Sequence, residues 1–189
     1  MRTNNVTTAE NQQERLGKQV GVKDISPEFG GYLAGFVDGE GSFNISLRKK
    51  HDYAYRWQPV LSFNVSQKEK TLLILLKQTL RCGIIKQRKD GLYSYDVTTP
   101  LELQKQVIPF FQTFQFLSQR KQSNILLFSR AVDLMVRKEH LTKTGLRKLL
   151  FIREIINTGK GRTRKYTLQD VFPESSETIR QAPPQAEKR

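Results

Sequence analysis

Residues 31–41 of this chain are Gly-Tyr-Leu-Ala-Gly-Phe-Val-Asp-Gly-Glu-Gly. A glycine inside a helix costs about 1 kcal/mol relative to alanine, so several glycines in one helical stretch need a physical reason. Residues four apart lie on the same side of a helix. The residues on that side are Gly31, Gly35 and Gly39, which have no side chain, with Ala34 and Asp38 beside them. The pattern therefore predicts a helix against which a second backbone packs very closely.

The same stretch ends with two carboxylates, Asp38 and Glu40, separated by a single glycine. The last carbonyl groups of a helix carry partial negative charge, which disfavours carboxylates there unless a cation lies beside them. A divalent metal ion would meet this condition. The structural alternative is an ordinary glycine C-cap followed by a turn, which the Asp-Gly-Glu-Gly sequence taken alone also fits.

The charge balance of the chain points to a polyanionic partner. There are 32 Lys and Arg residues against 18 Asp and Glu residues, which gives a net charge of +14 and a pI near 10.0. The excess persists between Ser26 and Gly159, so it is not confined to the ends of the chain. Such an excess is typical of nucleic-acid-binding proteins, and the alternative is an ordinary solvated basic surface.

Several other classes of protein are disfavoured by composition. No apolar run approaches the roughly 20 residues that a membrane-spanning helix needs, and the N-terminus lacks the apolar core of a signal peptide. The single cysteine, Cys82, excludes an intramolecular disulfide. His51 and His140, without a cysteine cluster, do not form an ordinary zinc motif. We therefore expect an intracellular protein with no membrane partner.

Hydrophobic periodicity predicts two helix–hairpin units followed by further helices. The first helix is expected from Ser26-Pro27-Glu28, an N-cap, a first-turn proline and an acidic residue, to about Asp38. Alternating apolar residues predict strands over 42–48 and 56–66. The remaining predicted elements are a helix at 70–81, a hairpin at 84–88 and 92–98, and helices at 101–111, 121–137 and 144–156. The prediction is an α+β fold of order α-β-β-α-β-β-α with extra C-terminal helices.

Length and composition indicate one folded domain with two polar ends. Residues 1–25 show neither helical nor strand periodicity, and Pro173, Pro183 and Pro184 lie in a polar C-terminal setting. We therefore expect a flexible N-terminal extension at 1–25, a domain at 26–159 and a basic, partly disordered tail at 160–189.

The predicted hairpins carry, on one face, side chains that match the edges of DNA bases. Arg and Lys match guanine, Asn and Gln match adenine, and a two-stranded ribbon fits the major groove. The candidate DNA-contacting residues are Asn44, Ser46, Arg48, Gln58, Ser62, Asn64, Lys86, Arg88, Ser94 and Asp96, with Lys50, Lys70 and Arg120 as further basic groups. The alternative is that any antiparallel sheet has a polar face in solvent. The predominance of amide and basic groups favours the DNA interpretation.

The stretch at 31–41 resembles the LAGLIDADG motif of homing endonucleases. The match consists of Leu33-Ala34-Gly35, the hydrophobic pair Phe36 and Val37, and Asp38-Gly39-Glu40-Gly41-Ser42. The family has the same element order over about residues 27–157, so the resemblance implies a saddle-shaped sheet over DNA. It also implies site-specific cleavage of both DNA strands at a long pseudo-palindromic target. Because the chain holds one motif, a homodimer is implied.

The resemblance further assigns roles to particular residues. Glu40 is the expected metal ligand, with the Gly39 carbonyl beside it, and Gln67 matches a glutamine that orders solvent. Lys121 is expected to take a catalytic lysine role, although the family's lysine aligns most naturally with Gln119. The expected cofactor is Mg²⁺, with Mn²⁺ as a substitute and Ca²⁺ binding without supporting cleavage. The expected dimer interface comprises Gly31, Ala34, Gly35 and Asp38.

Two other functions remain open from the sequence. A non-cleaving relative would act as an RNA maturase or a DNA-binding regulator; the altered Gln119 favours it, whereas Glu40 and Gln67 oppose it. A basic RNA-binding structural protein would need exposed aromatic rings on the sheet for stacking. Phe43 and Phe63 alternate onto the apolar face instead. The family resemblance also implies a location in an organelle, either chloroplast or mitochondrion.

Overall fold

Two helix–hairpin units, each a helix followed by an antiparallel strand pair, come first in the chain. The computed structural model describes residues 22–53, 55–157 and 164–173. The two units consist of α1 (Pro27–Glu40), β1 (Gly41–Lys49) and β2 (Trp57–Gln67), then α2 (Thr71–Leu80), β3 (Ile84–Gln87) and β4 (Tyr93–Val97). The predicted α+β fold is confirmed, and helices follow the second unit as expected.

The second half of the chain is helical. It contains α3 (Pro100–Glu102), a π-helical turn (Leu103–Val107), α4 (Ile108–Thr113), α5 (Gln119–Val136), α6 (Lys143–Ile155) and α7 (Leu168–Val171), with 3-10 turns at Val22–Asp24 and Glu139–Leu141. The π-helical turn ends at Val107, two residues before Pro109. Proline lacks the N–H that would continue the α-helical ladder, and the Ile108 N–H donates to the Leu103 carbonyl, five residues back.

The four strands form one antiparallel sheet in the order β1-β2-β4-β3. β1 pairs with β2 from Gly41, opposite Val65, to Lys49, opposite Trp57. β4 pairs with β2 only over the last five residues of β2, from Phe63 to Gln67. The β1–β2 hairpin therefore projects beyond the four-stranded part of the sheet. Pro59 lies in this projecting part, where β4 does not pair with β2 and a missing N–H is tolerated.

Helices cover one face of the sheet and form the main hydrophobic core. Alternate residues of β1 and β2 are buried there, as the sequence predicts. Phe43 lies at the centre of the core and is fully buried. Its ring stacks on Phe63 at 5.2 Å between centroids and contacts Phe128 of α5 at 5.1 Å and Phe111 of α4 at 6.1 Å. One aromatic cluster thus joins two strands to two helices.

The end of α1 and the start of α5 each differ by two residues from the predicted boundary. The helix α1 continues to Glu40, two residues beyond the expected end, and the Gly41 N–H still donates to the Val37 carbonyl. The helix α5 begins at Gln119, two residues before the expected start, because Ser118 is its N-cap and its hydroxyl accepts a hydrogen bond from the Lys121 N–H at 3.3 Å. The Ser118 cap was not predicted from the sequence.

The carboxylate of Asp38 joins the end of α1 to the start of α5. Its oxygens accept hydrogen bonds from the N–H of Leu117 at 3.0 Å, the N–H of Ser118 at 2.9 Å and the Ser118 hydroxyl. Burial alone would raise the pKa of Asp38, but these hydrogen bonds outweigh it, so the pKa lies below its ordinary value. The negative charge also suits the positive N-terminal end of α5.

Residues 164–173, which the sequence analysis assigned to the tail, pack against the projecting end of the β1–β2 hairpin. Val171 is buried there, beside Leu47 and Trp57. The expected flexible extension at 1–25 lies outside the described residues except for 22–25, as do 158–163 and 174–189 of the C-terminal part. Within the described ranges, no helix combines the length and apolar character needed to cross a membrane.

Replacing Phe43 with alanine should lower the free energy of unfolding by about 3–5 kcal/mol, because it removes a ring from the centre of the core and leaves a cavity. Urea denaturation measures the loss. Phe151→Ala is the matched control, since the Phe151 side chain is 66% exposed, and it should change stability by less than about 1 kcal/mol. Equal effects of the two changes would contradict the core assignment.

Asp38→Asn should lower the free energy of unfolding by about 1 kcal/mol at pH 7, because an amide replaces the charged acceptor at the start of α5. The native pKa of Asp38 is lowered, so its contribution is present above the unfolded-state pKa of 3.8 and is lost as pH falls through the native value. Urea unfolding at pH 7 and pH 3 should therefore show the two proteins converging at low pH. Asp52→Asn, at a carboxylate whose side chain is 71% exposed, controls for the charge change. A gap that stays constant with pH would contradict the role of the charge.

Candidate nucleic-acid interface and metal site

The helix α1 has one buried side and one exposed side. Successive residues of a helix are about 100° apart, and Leu33, Ala34 and Val37 therefore share the side that enters the core, where each is at most 2% exposed. The exposed side carries Gly31, Tyr32, Gly35 and Gly39. The predicted interface helix thus presents glycines to its surroundings over most of its length.

The glycines at 31, 35 and 39 have no packing role among the residues that the structure describes. A β-carbon added at Gly31, Gly35 or Gly39 would meet no other atom within 4 Å. Gly30, by contrast, lies against the ring of Phe114, so its missing side chain is explained by the core. The packing of the described residues therefore does not explain the three exposed glycines, which leave room for a second backbone to approach this side of α1.

Two of the residues predicted at a dimer interface make contacts within their own chain. Ala34 is only 2% exposed and belongs to the main core, so its placement on the glycine face was wrong. The reason is angular, because Ala34 lies about 100° around the helix from Gly35. Asp38 also differs from the prediction, since its carboxylate is used by Leu117 and Ser118 of the same chain.

The Lys121 ammonium lies at the junction of α1 and β1. Its Nζ donates a hydrogen bond to the carbonyl oxygen of Gly41, the first residue after the motif helix. Burial lowers the pKa of Lys121, while the carboxylates of Asp38 and Glu40 act in the opposite direction. The structure thus brings Lys121, rather than Gln119, to the end of the motif helix. This is the position at which the sequence analysis expected a basic group.

Glu40 is the acidic residue of the motif that remains available. It is exposed at the last position of α1, and within the described ranges no hydrogen bond or ion pair holds its carboxylate. No cluster of three or more His, Cys, Asp or Glu residues forms a ready cation cage in the same ranges. A hard cation such as Mg²⁺ commonly takes one or two carboxylates and completes its shell with water and substrate phosphate. The Glu40 carboxylate, with the Gly39 carbonyl beside it, fits that donor set.

Gln67 is at the same end of the sheet as Glu40. Gly41 pairs with Val65, and Gln67 lies two residues further along β2, opposite Tyr93 of β4. Its side chain is half-buried. The Lys70 ammonium lies 4.5 Å from the centre of the Tyr93 ring, so another positive charge is close to this corner. Glu40, Gln67 and Lys121 therefore gather at one end of the sheet, as the sequence analysis expected of catalytic residues.

The face of the sheet opposite the helices carries the predicted DNA-contacting residues. Even-numbered residues of β1 and β2 are half-buried or exposed, and cross-strand pairing places them side by side. The pairs on this face are Asn44 with Ser62, Ser46 with Val60, Arg48 with Gln58, Asn64 with Asp96, and Lys86 with Ser94. One continuous polar surface thus runs from the Glu40 corner to the projecting hairpin.

Several members of this surface are engaged with each other. Ser94 is 4% exposed and its hydroxyl donates to Asp96 at 3.0 Å, so it offers little surface to DNA in this arrangement. Asp96 also pairs with the Lys86 ammonium at 2.8 Å, which leaves Lys86 held but more than half exposed. Arg88 pairs with Asp90 in the turn at 2.8 Å. The closer packing of β4 between β2 and β3 explains why Ser94 is covered.

The basic groups at the margins of the surface differ in their contacts. Lys50 forms an ion pair with Asp52 at 3.4 Å and its ammonium lies 5.3 Å from the Tyr53 ring centre. Arg120 is exposed in the first turn of α5, beside Lys121. Lys70 and Arg120 therefore flank the Glu40 corner, whereas Lys50 lies at the far end of the hairpin.

Asn124 and Asn157 form a hydrogen-bonded pair behind the polar surface, which we call the asparagine bracket and which was not predicted from the sequence. The Asn157 amide donates to the Phe43 carbonyl on the free edge of β1, and the Asn124 amide of α5 donates to Asn157 at 2.8 Å. Asn44 on the polar face donates to Ser42 at 2.9 Å. Asn157 follows α6 with a positive φ of 55°, the position at which helices commonly end with glycine or asparagine. Asn157 directly follows the predicted helix at 144–156, and this position is the sequence feature that could have indicated the helix end.

Comparison with known proteins identifies relatives of this architecture. The family model of the LAGLIDADG endonuclease matches residues 33–132. The chain is 28% identical over 153 residues to a probable intron-encoded endonuclease 2 of Neurospora crassa, covering 79% of this chain and 33% of the relative. It spans only a quarter to a third of the length of the curated relatives that it matches first.

Solved structures agree with the sequence comparison. The archaeal intron-encoded homing endonuclease I-Vdi141I, complexed with DNA, matches with a TM-score of 0.69 and 29% identity over 75% of this chain and 91% of that chain. I-SmaMI, bound to uncleaved DNA target in the presence of calcium ions, matches with a TM-score of 0.68 and 33% identity over 79% of this chain and 49% of that chain. Sequence, fold and motif geometry therefore agree, and the chain belongs to the LAGLIDADG endonuclease family.

Proposed function

We propose that this chain is a site-specific DNA endonuclease that acts as a homodimer and requires Mg²⁺. The observation that carries the proposal is the end of α1, where an exposed glycine face leads to an exposed Glu40 carboxylate that makes no hydrogen bond or ion pair among the described residues. The polar sheet face, which starts at the same corner, is the proposed surface for double-stranded DNA. The net charge of +14 supports a polyanionic partner.

Two copies of the chain would complete the active region. The chain covers 91% of I-Vdi141I but 49% of I-SmaMI, so it corresponds to about half of the longer relative. Because Gly31, Gly35 and Gly39 have no side chains, two α1 helices could pack closely against each other at these positions. Such packing would bring two Glu40 carboxylates together. A twofold dimer then presents equivalent surfaces to both halves of a near-palindromic site.

The residues at the Glu40 corner have different proposed roles in cleavage. Bound Mg²⁺ would supply an activated water and offset the charge that develops on the phosphate. Glu40 and the Gly39 carbonyl would hold the ion. Lys121, anchored on the Gly41 carbonyl, places a positive charge beside both carboxylates, and Gln67 can hold a water molecule by hydrogen bonds. Mn²⁺ is expected to substitute, and Ca²⁺ to bind without supporting cleavage. The I-SmaMI structure with calcium and uncleaved DNA supports the last expectation.

The names of the relatives support an intron-encoded origin. Matching proteins are named as intron-encoded endonucleases, and others are named after introns of the ND4 and cox1 genes. We therefore propose that this chain is also encoded within an intron and cleaves DNA at the site where that intron inserts. An organelle location remains a prediction from the family resemblance.

Glu40→Gln should reduce cleavage by roughly 10³-fold while leaving DNA binding in Ca²⁺ nearly unchanged, because an amide keeps the shape but loses the charge that holds the metal. The measurement is cleavage of a randomised double-stranded DNA library with Mg²⁺, followed by binding to the selected site. Glu139→Gln removes the same charge from the turn before α6 and serves as the matched control. Normal cleavage by Glu40→Gln, or loss of binding together with cleavage, would contradict its role as a metal ligand.

Gly35→Leu should prevent dimer formation, because a leucine on the exposed face of α1 keeps a second helix from close approach. Sedimentation equilibrium should show a monomer where the wild type is a dimer. Gln78→Leu adds a leucine to an exposed position of α2 and should leave the dimer intact. A stable Gly35→Leu dimer would rule out the glycine face as the interface.

A further inference from the structure

The projecting end of the β1–β2 hairpin is a two-stranded ribbon. β2 pairs with β4 only from Phe63 onward, whereas its pairing with β1 continues to Trp57. A two-stranded hairpin alone is marginally stable in water. Arg48 and Gln58 stand opposite each other on this ribbon, so their positions depend on whatever packs behind it.

That packing is a second apolar cluster, separate from the main core. It contains Leu47 and Trp57 from the ribbon, Leu146 and Leu150 from α6, and Val171 from residues 164–173, with Tyr55, Tyr166 and Phe172 against it. We call residues 164–173 the strap. The strap thus supplies one wall of the cluster behind Leu47 and Trp57, at the outer end of the ribbon, whereas Ile45 and Leu61 nearer the sheet pack into the main core.

Aromatic contacts join the strap directly to the ribbon. The ring of Tyr166 meets the ring of Trp57 edge-on at 4.6 Å between centroids, and the Lys49 ammonium lies 5.6 Å from the centre of each ring. Phe172 contacts Tyr55 near the hairpin tip at 6.0 Å. The strap therefore touches both strands of the ribbon as well as its connecting loop.

The strap is in turn fixed to α6. Arg153, whose side chain is 5% exposed, donates a hydrogen bond to the Tyr166 carbonyl at 2.8 Å and pairs with Glu154 at 2.7 Å. Arg164 donates to the carbonyls of Glu154 and Ile156 at 3.2 and 3.3 Å. These bonds join the strap to α6, so the strap connects α6 with the ribbon.

The supported segment lies far from the Glu40 corner. Arg48 is eight residues beyond Glu40, which along an extended strand is ~26 Å, or about eight base pairs of B-form DNA. Leu47 and Trp57 point inward to the strap cluster, and their neighbours Arg48 and Gln58 point outward, because side chains alternate along a strand. A displacement of the inner residues would therefore displace the outer ones.

We propose that the strap is a positioning element that determines sequence discrimination at the outer base pairs of each target half-site. This inference rests on the proposed function. Tyr166 is its principal positioning residue, acting through Trp57 and Lys49 on the side chains of Arg48 and Gln58. The corner at Glu40, which has its own support from α5, is not affected by the strap.

The test compares Tyr166→Ala with Tyr166→Phe, which keeps the ring, using the full chain on a library of target variants. Tyr166→Ala should lose roughly tenfold in discrimination at the base pairs about six to eight positions from the cleavage site, and keep wild-type discrimination near the centre. Tyr166→Phe should match the wild type. Unchanged outer discrimination in Tyr166→Ala, or equal loss at every position, would overturn the positioning role.

Hydrogen exchange of the free protein gives a readout that does not depend on cleavage. Tyr166→Ala should lose amide protection in the ribbon, at 46–49 and at 57, 58 and 60, and keep it at 63–67, where β2 pairs with β4. Protection in the ribbon equal to that of the wild type would also overturn the proposal. A wild type that neither selects nor cuts any DNA would instead overturn the proposed function, and with it the specificity role.

Discussion

The hydrogen bonds between the Asp38 carboxylate and the first residues of α5 fix the geometry of the corner on which the site depends. Through them, the last turn of α1 holds the Ser118 cap, and the cap sets where α5 begins. Lys121 lies one turn into α5 and reaches back to the Gly41 carbonyl. Hydrogen bonds thus join the end of α1, the start of β1 and the first turn of α5 to one another. The Glu40 carboxylate stays exposed beside them.

This arrangement separates two acidic residues that are chemically similar. Asp38 accepts three hydrogen bonds from its own chain, whereas Glu40 is exposed, and only the second carboxylate can serve a metal ion. A carboxylate with several N–H and O–H donors stays ionised and oriented, which suits a structural role. One glycine between the two residues is enough to turn their side chains to different sides of the helix end.

The sheet separates stability from recognition in a similar way. All its helical cover lies on the face that carries Phe43 and Phe63, so the free energy of folding comes mainly from that side. The other face carries polar groups at the surface, the face that we propose for DNA. At the projecting hairpin this division is weakest, because β4 no longer contributes a neighbour and a separate cluster with residues 164–173 replaces the main core.

Much of this architecture was determined by the local sequence. Alternation along 42–48 and 56–66 and the Ser-Pro-Glu start of α1 specify strands and a helix, since burial of one face requires that periodicity. The motif and its glycines located the Glu40 corner and the exposed side of α1. The element order was confirmed, and Glu40, Gln67 and Lys121 were placed at one end of the sheet.

Only the tertiary structure decided which of the predicted residues are free to act. Ala34 is covered by core residues distant in sequence, and burial by such neighbours leaves no local pattern. The Asn157 bracket and the strap contact of Tyr166 with Trp57 join segments about a hundred residues apart. Periodicity reports the environment of a residue relative to its own helix or strand, whereas these contacts depend on how whole elements pack. The sequence alone therefore determined the elements and the motif, and packing decided the surface that they present.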